Sequence, residues 1–237
     1  RLLMVNGLGE LDQTNADAIM QWLSANGALY WTYTIMRMIG RVAFPIFCFL
    51  LVEGFLHTHD VKKYAMRLGL FALLSEIPFD LAFSSKILEF NYQNVFFTLF
   101  IGLLTMIAYR AVEEKEEWNQ ALKVILYILI VAAGMALAYF LKTDYAEKGV
   151  FCIMVLYIFR KKKMWQLIAG CASFIWETPA LFGFIPIAFY NGTRGWKMKY
   201  FFYIFYPAHL LILYLLCYFM GISGCLLYTS PSPRDGL

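Results

Sequence analysis

Two apolar runs, joined by a short polar turn, carry charged residues at positions that a membrane helix would place inside the bilayer. The segment 37–83 reads RMIGRVAFPIFCFLLVEGFLHTHDVKKYAMRLGLFALLSEIPFDLAF. Each run is long enough for a helix of about 30 Å, the thickness of the hydrocarbon core. Charges inside such helices are costly, so they normally face the protein interior and find partners there. The segment therefore predicts two membrane helices, 36–56 and 61–83, with charges directed inward.

Opposite charges in the two runs are predicted to share a depth. In an antiparallel helix pair, residues equally far from the connecting turn lie at the same level of the membrane. Glu53 and Arg67 are equally far from the turn. Arg41 is level with Asp80, and Glu76 lies one helical turn away. We therefore predict an ion pair between Glu53 and Arg67, and a second between Arg41 and either Asp80 or Glu76.

These charges allow two interpretations. Ion-pair networks are often structural, so the charges could serve only to hold the two helices together. Alternatively, Arg41, Glu76 and Asp80 line a polar cavity inside the membrane and carry chemistry, since an intramembrane ionisable residue is a functional candidate. Pro45 and Pro78 are expected to bend their helices beside these charges, because proline frees a backbone carbonyl one turn earlier. The residues themselves leave both interpretations open.

The composition is that of an integral membrane protein. Hydrophobic residues make up 61% of the 237-residue chain and charged residues 15%. A soluble domain has about 45–50% apolar and about 25% charged residues. We predict an all-α fold, a polytopic transmembrane helical bundle of about seven to eight helices. The net charge of +4 is small and scattered, which excludes nucleic acid as an expected partner and fits a cation excess in cytoplasmic loops.

No metal or nucleotide motif occurs in the sequence. The five cysteines lie in or beside apolar runs and show no CxxC spacing, so neither a metal site nor a disulfide framework is predicted. The sequence also lacks the GxGxxG, P-loop and HExxH patterns.

Three regions are expected along the chain. Residues 1–35 form an N-terminal and interfacial segment, which starts at Arg1 rather than Met and is therefore expected to be truncated. Its aromatic cluster is typical of the headgroup zone. Residues 36–221 form the transmembrane domain. Residues 222–237 differ from everything that precedes them and are expected to be a non-native tail.

Four further spans follow the central pair, and one segment between them is ambiguous. The spans are expected at 95–109, 121–141, 149–159 and 200–220. Residues 164–190 contain Glu177, Pro179 and Pro186, so they form either one broken crossing or a hairpin of two short helices. Excess Lys and Arg mark cytoplasmic loops, and this rule favours the hairpin. The loops predicted on the cytoplasmic side are 57–63, 110–120, 160–163 and 191–199.

The histidines and the isolated glutamate are candidates for chemistry. His57 is either solvated in the polar turn or acts as a general base or a contact for an anionic cofactor. His209 lies well inside the last span and is either a structural histidine or a catalytic one. We expect it to bond the carbonyl of Tyr203, which Pro207 frees, and to project towards the cavity lined by Arg41, Glu76 and Asp80. Glu177 has no local cation, so its partner is expected on another helix.

Six motifs, in this order and spacing, resemble the TraX family of membrane proteins. They cover most of residues 37–220 and are GRVAFPIF (40–47), RL…FALLSEIPFDLAF (67–83), NVFFTLFIG (94–102), DYAEKGV (144–150), YNGTRG (190–195) and KYFFYIFYPAHLLIL (199–213). The resemblance implies a relation to membrane acyltransferases, a role in N-terminal acetylation of a conjugative pilin, acetyl-CoA as donor and the bacterial inner membrane as location. The positions that match the family pattern are Gly40, Arg41, Pro45, Arg67, Asn94, Tyr145, Gly149, Tyr206 and His209. Family members also carry an Asp-His pair ahead of the Gly-Arg motif, which does not occur in this chain.

The functional hypothesis is therefore a multi-pass membrane acetyltransferase. Its expected catalytic residues are His209, Arg41, Glu76 and Asp80, with an arginine steadying the thioester oxyanion. The expected contacts to acetyl-CoA are Arg67 and His57. The acceptor is a pilin or an envelope glycan or lipid, and the bilayer is the other partner. The rival hypotheses are a non-catalytic subunit of conjugation or pilus assembly and a small-solute transporter, against which the lack of an internal repeat weighs mildly.

Overall fold

The fold is described by a computed structural model for residues 16–84, 91–193 and 199–219. Within these ranges the chain is all-α, as predicted. It forms eight α-helices and one short 3₁₀ helix. The α-helices are α1 (Ala16–His57), α2 (Val61–Ser84), α3 (Val95–Glu113), α4 (Gln120–Phe140), α5 (Ala146–Ile158), α6 (Lys163–Ser173), α7 (Phe184–Phe189) and α8 (Lys199–Phe219). The 3₁₀ helix is Thr178–Gly183, and the expected tail at 222–237 lies outside the described residues.

Three of the described helices are long and apolar enough to cross a membrane. They are Ser24–His57 of α1, α3 and α4. Helix α1 runs across the expected boundary at residue 35, with one non-helical residue at Asn26 (φ −121°, ψ 17°). Helix α4 lies at the outside of the bundle, because only Gly134 and Ala138 among its residues are buried. Its exposed leucines and isoleucines match a lipid-facing surface.

Helices α3 and α5 form the centre of the bundle. Each packs against the other and against α1 and α4; α3 also contacts α2, and α5 also contacts α6. Small residues allow the close approach: a Cβ at Gly102 would lie 2.5 Å from the Ile153 side chain, and one at Gly134 would meet Thr105. The side chains of Phe55, Leu103 and Tyr157 are fully buried in this core.

The predicted ion pairs between the first two long helices are wrong. Helices α1 and α2 leave the same turn, but beyond the contact of Tyr64 with Gly54 they separate. Helix α3 packs against both of them, while α2 has its main contacts with α3 and α8. Equal depth therefore does not produce contact here. Glu53 lies beside His57 and Tyr190, and Arg67 lies against Tyr64 and Tyr203.

Residues 163–190 form a hairpin, as the Lys and Arg residues of the flanking loops indicated for residues 164–190. Helix α6 runs away from Lys163, and α7, which follows the 3₁₀ helix, runs back. The two ends of the hairpin meet where the Lys163 ammonium donates to the Tyr190 carbonyl. Gly170 of α6 lies against the ring of Phe184 in α7. At the tip, a Cβ on Gly183 would lie 2.7 Å from the Val42 carbonyl oxygen. Glycine is therefore required for the tip to pack on α1.

The described loop residues 57–63, 110–120, 160–163 and 191–193 meet at one end of the bundle, which we term the basic end because eight Lys and Arg residues lie there. Arg160 pairs with Glu113 at 2.7 Å, and Arg110 lies over the Phe55 ring at 5.5 Å. The Phe49 and Tyr190 rings are 5.3 Å apart. This clustering agrees with the predicted placement of these loops on one side, and their assignment to the cytoplasm remains a prediction.

Candidate functional site

An ion pair joins the hairpin tip to the first long helix. Arg41 of α1 binds the carboxylate of Glu177, which directly precedes the 3₁₀ helix. The Glu177 side chain is 3% exposed and that of Arg41 is 31% exposed. The expectation that Glu177 finds its partner on another helix is confirmed. The expected pairing of Arg41 with Asp80 or Glu76 is wrong, because the hairpin tip occupies the face of α1 that carries Arg41.

Asp144 lies in a tight loop close to this ion pair. The loop between α4 and α5 pairs with the residues that precede α3: Gln93 N donates to Lys142 O at 3.1 Å, and Asp144 N donates to Gln93 O at 2.8 Å. Tyr92 donates its hydroxyl to Asp144 Oδ1 at 2.5 Å. Thr98 of α3 donates to the Asp144 carbonyl. These bonds fix Asp144 between two helices of the core.

The backbone of this loop is strained. Lys142, Tyr145 and Ala146 have φ values of +53°, +62° and +41°, in the left-handed region that side chains other than glycine rarely adopt. Such strain persists only where the surroundings fix the chain, and it clusters at functional sites. Here it directs Tyr145 towards α1, where its ring stacks in parallel on that of Phe44 with the centroids 3.6 Å apart.

The electrostatics of Asp144 are set by burial and by its neighbours. Burial raises the pKa of its carboxyl to about 6. The Tyr92 hydroxyl, the Tyr145 N–H and the nearby charge of Arg41 act in the opposite direction and keep that pKa from rising further. A carboxyl with this pKa is mostly ionised at pH 7 and can accept a proton. Arg41 and Asp144 together therefore provide a cation and a base within an apolar bundle.

Glu76 and Asn94 form a second polar contact beside Asp144. Asn94 is fully buried and caps α3 by accepting from Phe96 N at 3.0 Å. Its amide donates to the Glu76 carboxylate and to the Ala72 carbonyl, the latter at 2.9 Å. Glu76 is thus engaged by the start of α3 and not by Arg41. Asp80 is buried next to Glu76.

The prediction that His209 reaches the carboxylates is wrong. Its Nδ1 lies 2.9 Å from the Phe205 carbonyl, and its ring stacks on Phe205 with centroids 5.0 Å apart. The described contacts of His209 all lie within α8. The expected bond to the Tyr203 carbonyl is also wrong, because the imidazole folds back over its own preceding turn. The next residue, Leu210, packs against Phe79 and Ala82 of α2.

The two residues that were expected to contact acetyl-CoA lie apart from each other. His57 is exposed at the basic end, with Nδ1 2.9 Å from the Glu53 carbonyl. The Arg67 Nε atom is buried, and Arg67 faces the rings of Tyr64 and Tyr203. The described residues contain no group of three or more metal-ligating side chains.

Neither Asp144 nor Tyr92 was predicted from the sequence as a site residue. Asp144 is the first residue of DYAEKGV, which contributed only to the family resemblance. Its loop is polar and short, and nothing in its composition reveals three left-handed residues. A weak signal exists in hindsight: an aspartate directly before an aromatic residue at a helix start, between two apolar spans.

The fold and the site define an integral membrane protein with a polar site inside its helical bundle. The chain belongs to the TraX family: the family described as "TraX protein" matches residues 20–217. A relative from Dichelobacter nodosus, described as "Probable fimbrial assembly protein FimC, serogroup H1", is 28% identical over 214 residues, covering 77% of this chain and 83% of that protein. No solved structure matches the chain significantly.

Proposed function

We propose that this protein is a membrane-embedded acetyltransferase of the TraX type, which transfers an acetyl group from acetyl-CoA to a pilin N-terminus or another cell-envelope acceptor. The observation that carries the proposal is Asp144, a half-buried carboxyl that accepts from the Tyr92 hydroxyl, has a pKa raised to about 6 and lies within electrostatic range of the Arg41 guanidinium. Acyl transfer needs a base for the acceptor and a cation for the developing oxyanion. These two side chains supply both.

In this proposal Asp144 accepts the proton of the attacking amine or hydroxyl. The acceptor atom forms a bond to the thioester carbonyl carbon, and Arg41 stabilises the negative charge on the carbonyl oxygen. The C–S bond then breaks, the thiolate of coenzyme A leaves and the proton on Asp144 passes to it. Glu177 positions Arg41, and Tyr92 positions Asp144. His209, within its own helix, is assigned a structural role.

The proposed location is the bacterial inner membrane, with the basic end in the cytoplasm. Its support is the positive-inside rule, applied to loops that meet at one end of the bundle. In this topology acetyl-CoA approaches the basic end from the cytoplasm, where His57 is exposed. Arg41 and Asp144 lie towards the opposite end, so the acetyl group has to cross the bundle to reach them.

Cysteine labelling tests this topology. After the five native cysteines are replaced, Glu116→Cys and Thr193→Cys are each expected to resist a membrane-impermeant maleimide in intact cells and to react after permeabilisation. Asn91→Cys, at the opposite end, serves as the control and should react in intact cells. Labelling of Thr193→Cys from outside would contradict the proposed side for the hairpin base.

A second candidate function is a non-catalytic subunit of pilus or fimbrial assembly. The observation that favours it is the description of the relative as a probable fimbrial assembly protein. Incubating the purified full-length protein with isotope-labelled acetyl-CoA and an envelope fraction distinguishes the two. Acetyltransferase activity predicts label in a protein, glycan or lipid acceptor, and its loss in Asp144→Asn, which keeps the hydrogen bond from Tyr92. Formation of a stable complex with pilin, without transfer or turnover of label, would support the assembly subunit and overturn the enzyme.

A further inference from the structure

A cleft of ≈ 310 Å³ opens between α1 and the hairpin tip. Tyr30, Tyr33, Arg37 and Arg41 line it from α1, and Pro179 of the 3₁₀ helix closes it from the hairpin. The two arginines are one helical turn apart and therefore lie on the same face of α1. The cleft is separate from the base of the proposed reaction, since Asp144 is not among its lining residues.

The charge in this cleft is unbalanced. Arg41 is neutralised by Glu177. The described contacts of Arg37 are with Tyr33: its Nη1 donates to the Tyr33 hydroxyl at 2.9 Å, and its guanidinium carbon lies 5.7 Å from the ring centroid. Neither contact supplies a negative charge. In the described part of the chain, the cleft therefore holds one uncompensated positive charge, already oriented by Tyr33.

The depth of Arg37 identifies the anion that would meet it. At the helical rise, Arg37 lies about 30 Å along α1 from His57, which is about the thickness of the hydrocarbon core. With the basic end at one membrane surface, Arg37 reaches the headgroup level of the opposite leaflet. Met36 is exposed at the same level and Trp31 is exposed about 9 Å further along α1. Tryptophan and tyrosine favour the headgroup zone. Phospholipid phosphates are concentrated there.

We propose that this cleft binds the headgroup phosphate of an anionic phospholipid from the leaflet opposite the basic end. A guanidinium matches the phosphate oxygens with paired N–H donors, so Arg37 is suited to this contact in a way that a lysine is not. Tyr30 and Tyr33 flank the headgroup, and the apolar outer surface of α1 contacts the acyl chains. The occupied cleft would hold α1 and the hairpin tip together next to Arg41.

Native mass spectrometry of the full-length protein, released from nanodiscs, tests the proposal. With phosphatidylglycerol the protein should retain one bound lipid, and with phosphatidylcholine retention should be about tenfold lower, because the net negative charge is absent. Arg37→Gln should lower phosphatidylglycerol retention about tenfold, and Arg37→Lys should lower it less. Lys62→Gln makes the same change of charge on an exposed residue at the other end and should leave retention unchanged.

Three results would overturn the proposal. They are equal retention of the two lipids, unchanged retention in Arg37→Gln, and full displacement of the lipid by millimolar inorganic phosphate, which would identify a site for a free anion. The thermal unfolding midpoint of Arg37→Gln is measured in parallel. Since Arg37 has no ion pair in the described structure, that midpoint should stay close to the wild-type value, so a loss of lipid is not explained by unfolding.

Discussion

Arg41→Gln is expected to lower the free energy of unfolding by about 3–5 kcal/mol, the range for breaking a buried ion pair by removing one partner. The physical reason is the burial of Glu177, whose side chain is 3% exposed. Without Arg41 this buried carboxylate loses the cation that it binds. Steric trapping in bicelles, or the thermal midpoint in detergent, measures the effect.

The reverse substitution should cost less. Glu177→Gln leaves Arg41 without its carboxylate, but the Arg41 side chain is 31% exposed and lies on the cleft, so water can solvate it. We expect a loss of about 1–3 kcal/mol, the scale of an unmade polar contact. The double substitution Arg41→Gln with Glu177→Gln should recover much of the stability lost in Arg41→Gln, since it removes the isolated carboxylate. Equal losses in the two single variants, without recovery in the double variant, would contradict this explanation.

The helix bounds could be predicted from sequence because apolar runs, and the polar residues that end them, are local features of the chain. The predicted helices 36–56 and 61–83 correspond to the C-terminal part of α1 and to α2, which ends at Ser84. Asn94 caps α3 directly before the third apolar run. The Lys and Arg residues in the flanking loops favoured a hairpin at 164–190, since a single crossing would have placed these two loops on opposite sides of the membrane.

The ion-pair partners could not be predicted, because the sequence gives the depth of a residue in the membrane but not its lateral position in the bundle. Arg41 and Asp80 were matched by their distance from the turn, but lateral position decides which helices touch. The tip of a hairpin more than 130 residues later in the chain occupies the face of α1 that carries Arg41. The same limit applies to His209: its depth was suitable, but its rotation about α8 and its bond to Phe205 keep it apart from the carboxylates.

Asp144→Asn is expected to lower acetyl transfer by roughly 10²–10⁴-fold, the contribution of a positioned general base. Asparagine has nearly the same shape and still accepts the hydrogen bond from Tyr92, so the loop should keep its structure. The sign of the pH dependence follows from the base being active when ionised. Because the pKa of Asp144 is about 6, wild-type kcat/KM should fall about tenfold per pH unit below that value.

Two variants separate a catalytic Asp144 from a merely structural one. Tyr92→Phe removes a hydrogen bond that stabilises the carboxylate, so it should raise the pKa of Asp144 and shift the acidic limb of the profile to higher pH. His209→Gln should leave both the limb and the turnover within a few-fold of wild type, since the described contacts of His209 are internal to α8. If His209→Gln abolishes the limb while Asp144→Asn retains it, the base is His209 and the assignment of Asp144 is wrong.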